Sequence, residues 1–143
     1  MSREKKLADD SVLVDNTDEV LRAMDSAISR ALNAVGIKAE VYAKAKCPVR
    51  TGRLRNSITH TISGAGPMTH VYSDNKGNKF GGNIGSPEGT ANAVYIGTNV
   101  EYAPYVEFGV KGKKRKAKPF LRPAARDHVN EYREIIKTYL QKG

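Results

Sequence analysis

The apolar stripe in residues 16–46 is the feature that most constrains how this chain can fold. Apolar side chains recur there every three or four residues, which places them along one side of an α-helix. They are Leu21, Met24, Ile28, Ala31, Leu32, Val35, Ala39 and Tyr42. A helix of about 30 residues is about 45 Å long, which is long for a chain of 143 residues. The stripe therefore needs a sheet or a neighbouring subunit to cover it.

Both ends of this helix carry recognisable signals. Asn16 can cap the first turn, and Glu19 can hydrogen-bond back to the amide of Asn16. Cys47 precedes Pro48, and a residue before proline avoids helical geometry. Gly36 lies inside the helix and could kink it, because glycine is a poor helix former. We predict one helix from Asn16 to Lys46.

The remaining elements are shorter. They are predicted as a helical turn at 53–56, strands within 54–62, 69–73 and 93–97, a long flexible glycine-rich loop at 74–92, a helical turn at 102–108, and a second helix at 120–141. The order of helix, strands and helix indicates an α+β fold, in which the two helices pack on a small, mainly antiparallel β-sheet.

The length of the chain suits one domain, here residues 16–143, preceded by a flexible, mostly polar arm at 1–15. The single cysteine excludes an intramolecular disulfide. The first residues lack the apolar core of a secretory signal, and no apolar run approaches membrane-spanning length. We therefore expect a protein that is made and assembled in a cytosol.

The basic loop, residues 111–118, carries six of the nine net positive charges of the chain. Its cations are Lys111, Lys113, Lys114, Arg115, Lys116 and Lys118. They could simply be solvated, or they could bind nucleic acid, an acidic protein surface or a membrane face. Phosphate contacts would be independent of sequence and sensitive to salt. No aromatic residue lies between the cations, so stacking on bases is not indicated.

No catalytic, cofactor or metal site is predicted. Cys47 and the three histidines, His60, His70 and His128, have no metal-ligand spacing. Cys47 is expected to be a structural thiol. Residues 81–85 are rich in glycine but lack the lysine and the following helix of a phosphate-binding loop.

Aromatic residues are concentrated between Tyr95 and Phe108. They could pack against the long helix or form a subunit interface, for which tyrosine supplies both area and a polar tip. Glu101 and Glu107 flank this segment, and we expect them to be solvated or salt-bridged.

Three short stretches of sequence, called phrases here, are more specific than the overall composition. They are C-P-V-R-T-G-R-L-R-N-S-I at 47–58, V-Y-I-G-T-N-V-E-Y-A-P-Y-V-E-F-G at 94–109, and K-P-F-L-R-P-A-A at 118–125. In content and order they resemble the tail-completion, or head–tail joining, family of long-tailed bacteriophages. There a P-x-x-T-G-x-L-x-x-S-I phrase follows a long helix, a Y-A-x-Y-x-E-x-G phrase follows the main strand, and P-F-L-x-P-A opens the last helix.

The resemblance implies a non-enzymatic virion subunit that forms a ring, usually sixfold, at the head-proximal end of the tail, with DNA passing through it. Its partners would be further copies of itself, neighbouring neck and tail proteins and the passing double-stranded DNA. The motif residues expected to anchor the fold or the subunit interface are Thr51, Gly52, Leu54, Tyr102, Pro104, Tyr105, Glu107, Phe108, Pro119, Phe120, Leu121 and Pro123. The alternative is a small nucleic-acid-binding protein that acts through the basic loop. A phage hydrolase is the third hypothesis, but the sequence offers no convincing set of catalytic residues for it.

Overall fold

A computed structural model describes residues 3–6, 12–15, 17–63, 68–84, 91–110, 112 and 116–142. These residues hold helices and strands in the order β1 (Arg3–Lys6), β2 (Val12–Asp15), α1 (Thr17–Lys46), α2 (Arg53–Ser57), β3 (Thr59–Ile62), β4 (Met68–Ser73), β5 (Lys79–Ile84), β6 (Val94–Gly97), α3 (Ala103–Phe108), α4 (Leu121–Arg126) and α5 (Val129–Lys142). The predicted α+β class is confirmed.

The strands form three antiparallel pairs: β1 with β2, β3 with β6, and β4 with β5. In the central pair Thr59 lies opposite Gly97 and Ile62 opposite Val94. Strands β1 and β2 pair with each other in the segment predicted as a flexible arm, and its looseness stays a prediction. The β3–β6 pair and α1 pack together with α4 and α5, so the long helix joins the parts of the domain.

Helix α1 is continuous from Thr17 to Lys46, as the apolar stripe predicts, and its predicted cap Asn16 lies outside the described residues. The buried part of its stripe begins at Ala27 and consists largely of small residues, namely Ala27, Ala31, Leu32, Val35, Gly36, Ala39 and Ala43. Small side chains allow the neighbouring elements to approach the helix closely. The first ten residues of α1 contain no buried side chain.

Among the described residues two clusters make up the core, the first at the C-terminal end of α1 and the second just before it along the helix. The first surrounds the fully buried Phe120 and contains Ala43, Leu54, Ile58 and Tyr72. The second contains Val35, Ala39 and Tyr132, with Ile135 and Ile136 packed against it. Helix α4 contributes to the first cluster and α5 to the second.

The predicted single helix over 120–141 is therefore wrong in one respect. The chain forms α4 and α5, separated by a turn at Asp127 and His128. The hydroxyl of Tyr132 donates to the carbonyl of Ala124 across this turn, and the His128 ring stacks on Tyr42 with centroids 3.5 Å apart. The break redirects the chain from one core cluster to the other, which a repeat of apolar residues cannot reveal.

The predicted loop over 74–92 is also wrong in part, because residues 79–84 form β5. The Asp74 carboxylate accepts hydrogen bonds from the amides of Lys76 and Asn78, both at 2.9 Å, and so organises the turn before the strand. Phe80 then stacks on Tyr72 across the strand pair, with centroids 5.8 Å apart. Cross-strand aromatic pairing outweighs the low strand propensity of the glycines.

Gly36 lies inside the unbroken helix α1, where it makes room for His60. A Cβ at Gly36 would overlap the imidazole ring. That ring is held on both sides, since Nδ1 lies 2.6 Å from Oε1 of Glu40 and Nε2 lies 2.8 Å from Oδ1 of Asn33. The glycine is thus required by close packing rather than by backbone conformation.

Replacing Gly36 with alanine should therefore destabilise the protein, although alanine is the better helix former by about 1 kcal/mol. We expect a loss of about 1–3 kcal/mol from overpacking, measured by urea denaturation. In a His60→Ala background the same substitution should become neutral or stabilising. A destabilisation of equal size in both backgrounds would contradict the steric explanation.

Candidate functional site

A groove of about 1040 Å³ lies on the surface beside the C-terminal end of α1. Its walls come from Pro48 and residues 50–54 of the first phrase and from Tyr102, Tyr105 and Val106 of the second. Lys116 and Lys118 line one edge, and Asp74 and Phe80 of the β4–β5 hairpin line another. Segments far apart in sequence thus meet at one open surface.

Arg53 connects the walls of this groove. Its guanidinium group lies 4.4 Å from the centroid of the Phe80 ring and 5.6 Å from that of Tyr102. Both terminal nitrogens donate to the carboxylate of Glu101, at 3.2 and 3.0 Å. A planar guanidinium is suited to both stacking and two-point pairing. Glu101 is exposed and salt-bridged, as predicted, and its own backbone amide and then Arg53 lower the pKa of its carboxyl group.

The turn at Thr51 and Gly52 fixes where α2 begins. Gly52 has a φ of 80°, in the left-handed region that favours glycine. The side chain of Asn75 occupies the space where a Cβ would lie, and its backbone amide donates to the carbonyl of Thr51 at 2.8 Å. The turn therefore joins the first phrase to the β4–β5 hairpin, and the next turn of chain buries Leu54 in the core.

Glu107 joins the second phrase to the third. Its carboxylate accepts hydrogen bonds from the amides of Phe120, Leu121 and Arg122, at 2.8, 3.0 and 2.9 Å. The Nε atom of Arg122 donates to it at 3.2 Å. A buried carboxylate from another helix thus satisfies amides at the start of α4, where the residue before the helix provides no side-chain cap.

Glu107 is only 3% exposed and pairs with Arg122, so of the two expected states, solvated or salt-bridged, it is the salt-bridged one. Burial by itself would raise the pKa of Glu107. The hydrogen bonds from the amides of Leu121, Phe120 and Arg122, and that from the Arg122 side chain, outweigh burial and lower the pKa below its usual value. The carboxylate therefore stays ionised inside the domain.

The twelve motif residues separate by exposure. Gly52, Leu54, Glu107 and Phe120 are buried, Tyr102, Leu121 and Pro123 are partly buried, and Thr51, Pro104, Tyr105, Phe108 and Pro119 are exposed. The buried ones hold the fold together. An interface role stays a prediction, and among these residues the exposed ones are available for it.

The basic loop is described only in part. Lys116 and Lys118 are exposed, and the backbone amide of Lys118 donates to the carbonyl of Val106 at 2.8 Å. Lys111, Lys113, Lys114 and Arg115 lie outside the described residues. The described end of the loop is therefore attached to α3, with its cations at the edge of the groove.

Sequence reasoning missed Arg50, Arg53, Asp74 and Phe80 as members of this site. Phe80 lies in a segment that the sequence predicts to be a flexible loop. A lone phenylalanine among glycines is the signal that could have indicated a packed hairpin. Arg53 belongs to the first phrase, and its position between two rings depends on residues about 30 and 50 positions away, which no local pattern shows.

The described residues contain no group of three or more His, Cys, Asp and Glu side chains that could hold a metal ion. Cys47 is buried, and burial raises the pKa of its thiol to about 11. A protonated thiol is a poor nucleophile at neutral pH. Across the part of the chain described here, no helix combines the length and apolar character needed to cross a bilayer.

The model of a family described as "Bacteriophage HK97-gp10, putative tail-component" matches residues 11–109, which is more than half of the chain and includes the first two phrases. No curated protein and no solved structure matches the chain.

Proposed function

The chain belongs to the HK97-gp10-like family of bacteriophage tail components, and we propose that it forms a ring that completes the tail and joins it to the head. The ring is a homohexamer at the head-proximal end of the tail, and DNA passes through it. Its neighbours are a head-closure protein and the tail terminator or tail tube. The subunit is assembled in the host cytoplasm, becomes part of the virion and catalyses no reaction.

The observation that carries this proposal is that residues of the three phrases have structural roles in the fold. They supply a turn at Gly52, a guanidinium held between rings at Arg53, and a carboxylate cap at Glu107. All three have structural roles, and Gly52 and Arg53 line an open groove with an aromatic and cationic edge. Membership of a tail-component family and a surface of this kind both favour assembly.

A phage that lacks this chain provides the direct test. Infected cells should accumulate DNA-filled heads and finished tails that are not joined, as seen by electron microscopy of the lysate. Addition of the purified chain to such a lysate should restore infectious particles. Normal particles in the absence of the chain would contradict the proposal.

We further propose that the basic loop contacts the phosphates of the passing DNA. Replacing Lys113, Lys114 and Arg115 with alanine should weaken binding to duplex DNA at low salt. Because each lost phosphate contact changes the slope of log K against log salt by about 0.9, the slope should become shallower by about 2–3. Fluorescence anisotropy with a labelled duplex at several salt concentrations measures both quantities.

The matched control removes three exposed cations from α4 and α5, at Arg126, Arg133 and Lys137. Both variants have the same formal net charge, so a general charge effect would weaken both equally. Equal weakening, or no binding by the unaltered chain at low salt, would argue against DNA. The loop would then be assigned to an acidic surface of the adjoining ring.

A further inference from the structure

The groove beside the C-terminal end of α1 presents aromatic and apolar side chains on an open surface. Phe80, Tyr102 and Val106 line it. The ring of Tyr105 also lines it and is more than half exposed. Three residues further along α3, Phe108 is more than half exposed as well, and residues three apart lie on the same side of a helix. Exposed rings that the fold leaves uncovered are characteristic of a contact surface.

The groove also carries positive charge that has no partner in the described part of the subunit. Its exposed cations are Arg50, Lys116 and Lys118. Their side chains form no ion pair or hydrogen bond with the described residues. The other charged groups of the lining are already satisfied, because Arg53 pairs with Glu101 and the Asp74 carboxylate accepts hydrogen bonds from the amides of its own turn. Three positive charges thus border an apolar surface.

A second copy of the chain is a poor match for this charge. Most of the described carboxylates already have partners. Those that pair with a cation of the same subunit are Glu40, Glu101, Glu107, Asp127 and Glu131. Asp18 and Glu19 also have interaction partners. Among the carboxylates whose side chains the structure describes, Asp25 on α1 and Glu134 on α5 remain, and two carboxylates on different helices do not make an acidic surface.

Duplex DNA would use only part of the groove. Its phosphates could contact the cations, but a phosphate backbone gains nothing from apolar side chains such as Tyr102 and Val106. A protein segment that carries both carboxylates and an apolar side chain would use the cations and the rings together. The groove has a volume of about 1040 Å³, at the upper end of the range of about 300–1,000 Å³ for sites that enclose small ligands. A short peptide segment therefore fits it better than a folded surface does.

We infer that the groove is the docking site for an acidic segment of another virion protein. Carboxylates of that segment pair with Arg50, Lys116 and Lys118, and an aromatic or aliphatic side chain lies against Tyr102 and Tyr105. The inference rests on the proposed function, because a subunit that joins tail to head must hold a neighbour of a different kind. It assigns the chemistry of that neighbour and the surface that holds it. Since the cations are exposed, the affinity should fall as the salt concentration rises.

Binding to peptides of known sequence tests this assignment. An array of short overlapping peptides covers the other virion proteins of the same phage and the chain's own sequence, and the purified full chain is applied to it. Fluorescence anisotropy then measures the dissociation constants of the strongest binders and of a labelled DNA duplex. We expect the strongest binders to be acidic segments that contain an aromatic or aliphatic residue and that come from a protein other than this one.

The groove variant carries Arg50→Glu and Lys118→Glu. It should raise the dissociation constant of the bound peptide by at least about tenfold, as expected when central interface contacts are lost. The matched control carries Arg133→Glu and Lys137→Glu, which change the net charge equally at exposed positions of α5, and it should bind like the unaltered chain. Circular dichroism and thermal midpoints identify any variant that fails to fold.

A charge exchange distinguishes direct pairing from a general effect of net charge. A copy of the bound peptide with lysine in place of each Asp and Glu should not bind the unaltered chain. It should bind the groove variant more tightly than the acidic peptide does. If the groove variant shows no such preference, the cations of the groove are not the partners of the carboxylates, and the inference is overturned.

The remaining outcomes also decide the matter. The assignment is wrong if no peptide binds, if the binders come from the chain itself, or if the groove variant loses affinity for the DNA duplex and not for the peptides. In the phage that lacks this chain, the groove variant should restore at least about tenfold fewer infectious particles than the unaltered chain, in line with the loss of affinity. Equal restoration by a variant that no longer binds the peptide would refute docking and leave tail completion standing. Normal particles without the chain would refute tail completion, and the array would still decide whether the groove binds acidic segments.

Discussion

Replacing Glu107 with alanine is expected to lower the free energy of unfolding by about 3–5 kcal/mol, because three amides and a guanidinium group lose the buried carboxylate that accepts hydrogen bonds from them. The substitution leaves the amides of Phe120, Leu121 and Arg122 without their acceptor at the start of α4. Each buried unsatisfied donor costs about 1–3 kcal/mol. Urea denaturation followed by circular dichroism measures the loss.

The isosteric change Glu107→Gln should recover part of this loss, because one amide oxygen can still accept hydrogen bonds. Glu101→Gln is the matched control, since Glu101 pairs with an arginine as well but is exposed. It should leave the free energy of unfolding nearly unchanged. A Glu107 variant as stable as this control would show that the carboxylate does not hold the second and third phrases together.

The same carboxylate makes stability depend on pH. The pKa of Glu107 is lower in the folded chain than its usual value, which is about 4.3 in an unfolded chain. Its contribution is therefore fully present above about pH 4.3, and it is lost as the pH falls through the lower, folded pKa. Between pH 7 and pH 3, the unaltered chain should lose more stability than the Glu107→Gln variant does.

The sequence predicts the helices and the central strands well where one local pattern decides the structure. The stripe of α1 depends on the period of its apolar residues, and the strand at 94–97 depends on its β-branched and aromatic residues. The break between α4 and α5 depends instead on two separate core clusters. Strand β5 depends on the pairing of Phe80 with Tyr72. These are tertiary effects, and they override local propensity.

In the candidate site, too, the sequence predicts some features, while tertiary packing decides others. The three phrases indicate which residues matter, but not how they divide between interior and surface. Glu107 and Phe108 are neighbours in one phrase, and one is buried while the other is 65% exposed. Their different roles follow from the direction in which α3 packs. A motif alone therefore cannot separate the residues that hold the subunit together from those available to a neighbour.

Phe120 and Phe108 permit a direct test of that separation. Phe120 is completely buried in the first core cluster, and Phe120→Ala should lower the free energy of unfolding by about 3–5 kcal/mol. Phe108 is exposed, and the guanidinium group of Arg122 lies 4.8 Å from its ring centroid. A cation–π contact at such a position contributes about 0.5–1 kcal/mol, so Phe108→Ala should cost no more than that.

Paired denaturation curves of the two alanine variants measure this difference, and Phe120→Leu should recover most of the loss because leucine refills much of the cavity. Equal losses of unfolding free energy in Phe108→Ala and Phe120→Ala would mean that Phe108 is part of the folded core and that the exposed side of α3 is covered within the subunit. A large difference would mean that the second phrase retains an exposed ring that the fold does not need. Such a ring is then free to act in contacts between subunits, where aromatic residues are enriched.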